Sequence, residues 1–78
     1  MKVKVTKPDS ILFDGEANLV QLPGTNGLFE ILPHHAPIIS ALAKGQLRIV
    51  TDDKQTHNYE IRGGVVKCQH DDIIILVQ

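Results

Sequence analysis

Residues 17–32 read ANLVQLPGTNGLFEIL and decide the fold. Two short apolar stretches, residues 17–22 and 28–32, flank the pentapeptide Pro23-Gly24-Thr25-Asn26-Gly27, which is the strongest turn signal in the chain. Proline presets φ, whereas Gly and Asn tolerate the positive φ angles that tight turns require. This stretch therefore predicts two extended strands joined by a turn.

The same alternation of short apolar runs and turn residues continues in both directions from this stretch. Further strands are predicted at residues 2–6, 11–13, 38–42, 46–51, around Tyr59 and Ile61, 65–69 and 73–77. Turns are predicted at residues 7–10, Asp14-Gly15, 43–45, 52–54, Gly63-Gly64 and 70–72. Residues 73–77 are apolar without alternation, which predicts an interior strand buried on both faces.

Composition agrees with an all-β chain. The 78 residues include 7 Val, 9 Ile and 4 Thr, so 20 are β-branched, against only 4 Ala. Such residues fit a pleated surface better than a helix. We therefore predict one domain, residues 1–78, built as a flattened antiparallel β-sandwich or barrel of about eight to ten short strands.

Charge and hydropathy exclude several classes of partner. The net charge is −1 with no basic block, which argues against nucleic acid bound through its phosphates. No apolar run approaches the ~20 residues of a membrane-spanning helix, and residues 1–10 do not resemble a signal peptide. Cys68 is the only cysteine, so it has no internal disulfide partner, and its parity with Val66 predicts a small core residue.

No pattern for catalysis or metal binding is present, so we predict no catalytic, cofactor-binding or metal-ligating residues. The chain lacks GxSxG, HExxH, GxGxxG and the Walker-type phosphate loop. His34 and His35 are neighbours and would point to opposite faces of a strand. Asp52-Asp53 and Asp71-Asp72 fall in predicted turns, where Asp is favoured by bonds to backbone amides. The chain is not expected to be an enzyme on its own.

Two exposed segments are candidates for docking. Leu28 and Phe29 follow the tight turn directly, and residues 35–39 place apolar groups beside rigid prolines. The alternative is that these side chains only plug the ends of the sandwich.

The motif LPGTNGLFEILPHHAP (residues 22–37), followed by Leu42, Gly45, Arg48-Ile49 and Gly63-Gly64-Val65-Val66, resembles the epsilon subunit of F-type ATP synthases. Phe13-Asp14-Gly15 also agrees with that family. The resemblance is to the N-terminal sandwich domain and covers essentially the whole chain. The family commonly has Gly where His34 stands.

The resemblance implies a non-catalytic rotor subunit in the central stalk of a proton-translocating synthase. Its partners would be the gamma subunit and the membrane c ring, and its location would be peripheral, at the cytoplasmic face of the bacterial inner membrane. By position, the residues implied in c-ring contact are Gly24, Thr25, Asn26, Gly27 and Leu28. Those implied in gamma contact are His35, Ala36 and Pro37.

Bacterial epsilon subunits typically continue into a regulatory C-terminal helical hairpin, and no segment within residues 1–78 has the 3.6-residue period of such a helix. We therefore expect no ATP binding and no inhibition of hydrolysis by such an element. The alternative from another class is a free-standing β-sandwich that binds a small ligand or carbohydrate. That alternative requires an aromatic-lined groove, for which only Phe13, Phe29 and Tyr59 are available.

Overall fold

The computed structural model describes residues 1–78 as eight β-strands with no helix. The strands are β1 Lys2–Lys7, β2 Ser10–Gly24, β3 Gly27–Ile31, β4 Ile38–Leu42, β5 Gly45–Thr51, β6 Thr56–Ile61, β7 Gly64–Gln69 and β8 Asp72–Val77. The predicted all-β class and strand number are confirmed. The structure contains no helix that is long and apolar enough to span a membrane.

The strands form two layers that share β2. Their order is β1-β8-β7-β4-β2-β5-β6, with β3 also paired to β2, and β1 paired to β2 as well. The first part of β2 pairs with β1, its middle with β5, and its end with β3. One layer therefore contains β4, β7, β8 and β1, and the other contains β6, β5 and β3.

A β-bulge in β2 adjusts which side chains face the core. Ala17 lies opposite Thr51 and Leu19 opposite Val50, so Asn18 is the extra residue in the register. Ala17 and Val20 are both fully buried although they are three residues apart, which strict alternation along a strand forbids. The bulge changes the parity and so allows one strand to serve both layers.

The core lies between the layers and consists of 15 buried residues. Its fully buried large side chains include Leu22, Ile31, Leu47, Ile49 and Ile75. Cys68 is buried among them, as predicted. No polar or charged residue is buried in the core. Fold specificity therefore depends on apolar packing and on 49 backbone hydrogen bonds.

Three details of the predicted strands are wrong. Asp14-Gly15 does not end a strand but lies inside β2, opposite Lys4 and Val3. The turn predicted at residues 7–10 is confirmed, with Pro8 and Asp9 at its tip, and β2 then continues through Asp14, whose side chain faces solvent. The sandwich is not purely antiparallel, since β1 and β8 pair in parallel. These are the first and last strands, so no short hairpin connects them and constrains their direction.

The third error concerns β8, which is interior but not buried on both faces. Ile73, Ile75 and Val77 are buried, whereas Ile74 and Leu76 are 46% and 51% exposed. When the outward side chains of a strand are apolar as well, the sequence shows no alternation. The pattern therefore could not distinguish a strand buried on both faces from one with an exposed apolar face.

Gly64 opens β7 at a point where two backbones meet closely. Its φ is +158°, and a Cβ built on it would overlap the carbonyl oxygen of Leu76 and lie 3.1 Å from Cα of Val77. Both atoms are backbone, so they have little freedom to move. Glycine is required here by the close approach of β8 and by the positive φ.

We expect Gly64→Ala to lower the free energy of unfolding by about 2 kcal/mol or more, because the added methyl pushes β7 from β8 and strains φ. Urea denaturation measures this change. The control is Gly15→Ala, where the nearest atom to an added Cβ is in the Phe13 ring at 3.6 Å. That change should stay within about 0.5 kcal/mol. Equal midpoints for the two variants would contradict the prediction.

Candidate docking surfaces

The turn between β2 and β3 is a two-residue hairpin with Thr25 and Asn26 at its tip. Gly24 pairs with Gly27 across it, and Gly27 has a φ of +123°. The backbone around the turn is also bonded to the end of β4. The N–H of Ala43 donates to the carbonyl of Pro23 at 2.7 Å, and that of Thr25 to the carbonyl of Ala41 at 3.4 Å. The tip is therefore exposed but held firmly.

The turn between β4 and β5 lies beside this hairpin. A Cβ on Gly45 would lie 2.8 Å from Cβ of Pro23, so the two turns pack directly together. We call residues 23–28 and 43–45 the loop end. They contribute to a shallow cleft of ≈ 420 Å³. Within the loop end, Leu28 is 68% exposed, whereas Phe29 next to it is half-buried over Gly24.

The segment of residues 32–37, here called the HAP segment, connects β3 to β4. The N–H of His35 donates to the carbonyl of Leu32 at 3.1 Å, and its ring Nδ1 lies 2.7 Å from the carbonyl oxygen of Ala36. His35 is half-buried, whereas Ala36 and Pro37 are exposed. The segment is thus folded on itself and presents a small apolar surface.

The structure does not bring the two predicted segments together. Gly24 pairs with Gly27 and with Leu42, so the loop end lies where β3 begins and β4 ends. The HAP segment lies where β3 ends and β4 begins. Each strand has five residues and spans about 15 Å. The two segments are therefore at opposite ends of these strands.

Apart from Ile39, which lies in the predicted segment 35–39, sequence reasoning missed an apolar surface on the outside of the layer that contains β4, β7, β8 and β1. Cross-strand register joins Ala41 to Val65 and Val65 to Leu76. Ile39 is 73% exposed and lies opposite Lys67, which in turn lies opposite Ile74. We call Ile39, Ala41, Val65, Ile74 and Leu76 the outer face. The run of residues 73–77 carries the signal for this surface, but the same run also fits a strand that is buried on both faces, so the sequence alone did not reveal it.

The outer face meets the HAP segment at a second cleft of ≈ 310 Å³. Its lining includes Pro37, Ile38, Ile39 and Lys67. Ile38 packs against the core, whereas Ile39 does not. Of the predicted docking side chains, Phe29 and Ile38 thus pack partly against the core, whereas Leu28 and Ile39 remain exposed.

The three aromatic side chains do not form an open groove. Phe13, Phe29 and Tyr59 are all partly buried and pack against the core. The Phe13 ring lies 5.3 Å from the His57 ring, and the Tyr59 hydroxyl donates to the carbonyl of Leu12 at 3.1 Å. These contacts remove the feature that a carbohydrate-binding module would need.

The pKa values of Asp53 and Cys68 are shifted by their surroundings in the fold. The Thr51 hydroxyl donates to the carboxylate of Asp53 in the β5–β6 turn and lowers the pKa of that carboxyl group. Burial, and then the charge of Asp71, raises the pKa of the Cys68 thiol. No group of three or more His, Cys, Asp and Glu residues is placed to hold a metal ion.

The Cys68 thiol should make stability depend on alkaline pH. Its pKa is raised in the folded state, so above the usual thiol value of about 8.5 the unfolded chain loses its proton first. Folding is then disfavoured as the pH rises. We expect the stability advantage of the natural chain over Cys68→Ala to shrink between pH 7 and pH 10 in urea denaturation. A constant difference would contradict this.

Comparison with known proteins agrees with this geometry. The family model of the ATP synthase delta/epsilon chain β-sandwich domain matches residues 1–78. The ATP synthase epsilon chain of Chlorobaculum tepidum is 35% identical over 74 residues, which are 95% of this chain and 84% of that one. The Chlorobium limicola epsilon chain is 34% identical over 77 residues, with 99% and 88% coverage. That of Rickettsia prowazekii is 39% identical over 71 residues, with 86% and 62% coverage.

Two solved structures share the fold at 19% identity. A chain of the Euglena gracilis mitochondrial ATP synthase, from a structure of OSCP, F1 and c-ring, superposes with a TM-score of 0.89. The superposition covers 96% of the present chain and 48% of the Euglena gracilis chain. A chain of the Tetrahymena thermophila central stalk and c-ring gives a TM-score of 0.81, with 63% of it and 100% of this chain aligned. From the family match and these relatives, the chain belongs to the ATP synthase delta/epsilon family, as a β-sandwich domain of the epsilon type.

Proposed function

We propose that the chain is a non-catalytic rotor subunit of a proton-translocating F-type ATP synthase, linking the gamma subunit to the c ring so that proton flow is coupled to ATP synthesis. The observation that carries this proposal is the separation of the loop end from the HAP segment along β3 and β4. A linker between two partners needs two exposed and rigidly connected ends. Its place would be peripheral, at the cytoplasmic face of a bacterial inner membrane.

The loop end is proposed to rest on the c ring. Gly24, Thr25, Asn26 and Gly27 form a tight hairpin tip that is bonded to the end of β4. Leu28 offers an exposed apolar side chain beside this tip, and the neighbouring turn adds Lys44. A firmly held tip loses little conformational entropy on docking, which suits a contact that must transmit rotation.

The gamma subunit is proposed to bind the HAP segment together with the adjoining part of the outer face. His35, Ala36 and Pro37 run directly into Ile38 and Ile39, and Ile39 is the most exposed large apolar side chain of the chain. The cleft beside Pro37 joins the two regions. An exposed apolar patch on an interior strand is typical of a protein interface.

The proposal is tested by co-purification. A tagged chain should bring down the gamma subunit from a detergent-solubilised synthase, and after removal of the catalytic head it should keep gamma and c ring together. A chain that carries neither partner would contradict the proposal.

We expect Ile39→Asp to weaken gamma binding at least tenfold, because the new carboxylate would be desolvated in an apolar interface. Titration calorimetry with purified gamma subunit measures the change. Asn58→Asp, an exposed position on edge strand β6, is the matched control and should bind normally. Equal affinities for the two variants would place the gamma contact elsewhere.

We expect Leu28→Asp to reduce proton-driven ATP synthesis in reconstituted vesicles while leaving the free energy of unfolding within about 0.5 kcal/mol, since the side chain is exposed. Thr56→Asp is the control, because Thr56 lies at the end of β6 remote from the loop end. If Leu28→Asp unfolds the domain, the side chain is structural. If synthesis is unchanged, the c-ring contact does not involve it.

A further inference from the structure

Three residues with an unfavourable backbone conformation lie where the HAP segment meets the β7–β8 turn. His34 has a φ of 67°, and in the β7–β8 turn His70 and Asp71 have φ values of 52° and 60°. The only other non-glycine residue with positive φ is Lys54, in the β5–β6 turn. Such strain persists only where neighbouring contacts hold it, and it often marks functional segments.

The contact that holds His34 comes from the carboxylate of Asp71. The backbone N–H of His34 donates to Oδ1 of Asp71 at 2.8 Å. Nδ1 of the His34 ring lies 3.6 Å from Oδ2, so the ring adds an ion pair when it is protonated. The ring is largely exposed, so the short bond from the backbone to a charged acceptor is the stronger of the two.

This contact connects two parts of the chain that the sheet alone does not join at this point. Ile38 pairs with Cys68, which brings the start of β4 next to the β7–β8 turn, but the HAP segment itself has no strand partner. His34 has a φ of 67°, a conformation that glycine adopts at no steric cost and histidine does not. Histidine is strained in this conformation, and the hydrogen bond from its backbone N–H to the Asp71 carboxylate holds it there.

We propose that Asp71 is a positioning residue for the HAP segment: its carboxylate fixes the backbone at His34 and so presents His35, Ala36 and Pro37 to the partner. The role in binding rests on the function proposed above, whereas the positioning itself is a property of the isolated chain. Asp71 also stands near Cys68, where burial, and then the charge of Asp71, raises the pKa of the buried thiol.

Three substitutions separate positioning from a structural role in the turn. Asp71→Gly removes the carboxylate but suits the positive φ better than Asp does. Asp71→Asn retains an oxygen acceptor. His34→Gly relieves the strain and keeps the N–H donor. Lys54→Gly, which relieves the same strain in another turn, is the control.

The first measurement is amide hydrogen exchange in the isolated chain, followed by NMR. We expect the backbone amide of residue 34 to exchange about tenfold faster in Asp71→Gly than in the unsubstituted chain. Its exchange rate should change little in Asp71→Asn, His34→Gly and Lys54→Gly. If Asp71 served only the turn, glycine would be at least as good, and the His34 amide would keep its protection. Unchanged protection in Asp71→Gly would overturn the inference.

The second measurement is gamma binding by titration calorimetry. Asp71→Gly should bind about tenfold more weakly, and Asp71→Asn should recover most of the affinity. Faster exchange of the His34 amide with unchanged affinity would overturn the role in presentation. Failure of the unsubstituted chain to bind gamma would instead contradict the proposed function, and the exchange experiment would still decide whether Asp71 positions the segment.

Discussion

The sandwich depends on one strand that belongs to both of its layers. β2 has 15 residues and pairs in turn with β1, β5 and β3. The bulge at Asn18 lets Ala17 and Val20 both face the core, so the strand can pass from one layer to the other without exposing its apolar side chains. Because β2 touches both layers, changes in its register would affect the whole core.

Short strands hold the loop end and the HAP segment at a fixed distance from each other. β3 and β4 run between the loop end and the HAP segment, and each is only five residues long. At the loop end, backbone bonds from Ala43 and Thr25 join separate turns, and at the other end the Asp71 carboxylate holds His34. For the proposed function, a short body with both ends held by hydrogen bonds would transmit rotation with little loss through bending.

The outer face shows where stability and binding have different requirements. Ile39, Ile74 and Leu76 are exposed although their strands, β4 and β8, each have a strand partner on both sides. Full burial of such a side chain is worth about 1.5–3 kcal/mol, and the folded chain alone does not gain this. The gain is available to a partner that covers the face, while the residues inside, such as Ile75, already stabilise the isolated domain.

Local sequence determined most of the strands, the turns at Thr25-Asn26 and His70-Asp71, the burial of Cys68 and the family, because these depend on near neighbours and on a distinctive motif. Local sequence did not determine that residues 11–13 and 17–22 form one strand. Asp14-Gly15 continues the strand because both residues pair with β1, and that pairing is a tertiary contact. The parallel pairing of β1 with β8, the exposure of Ile74 and the bond from His34 to Asp71 join residues far apart in the chain. Only the tertiary structure decided these, because each depends on which distant segment lies alongside.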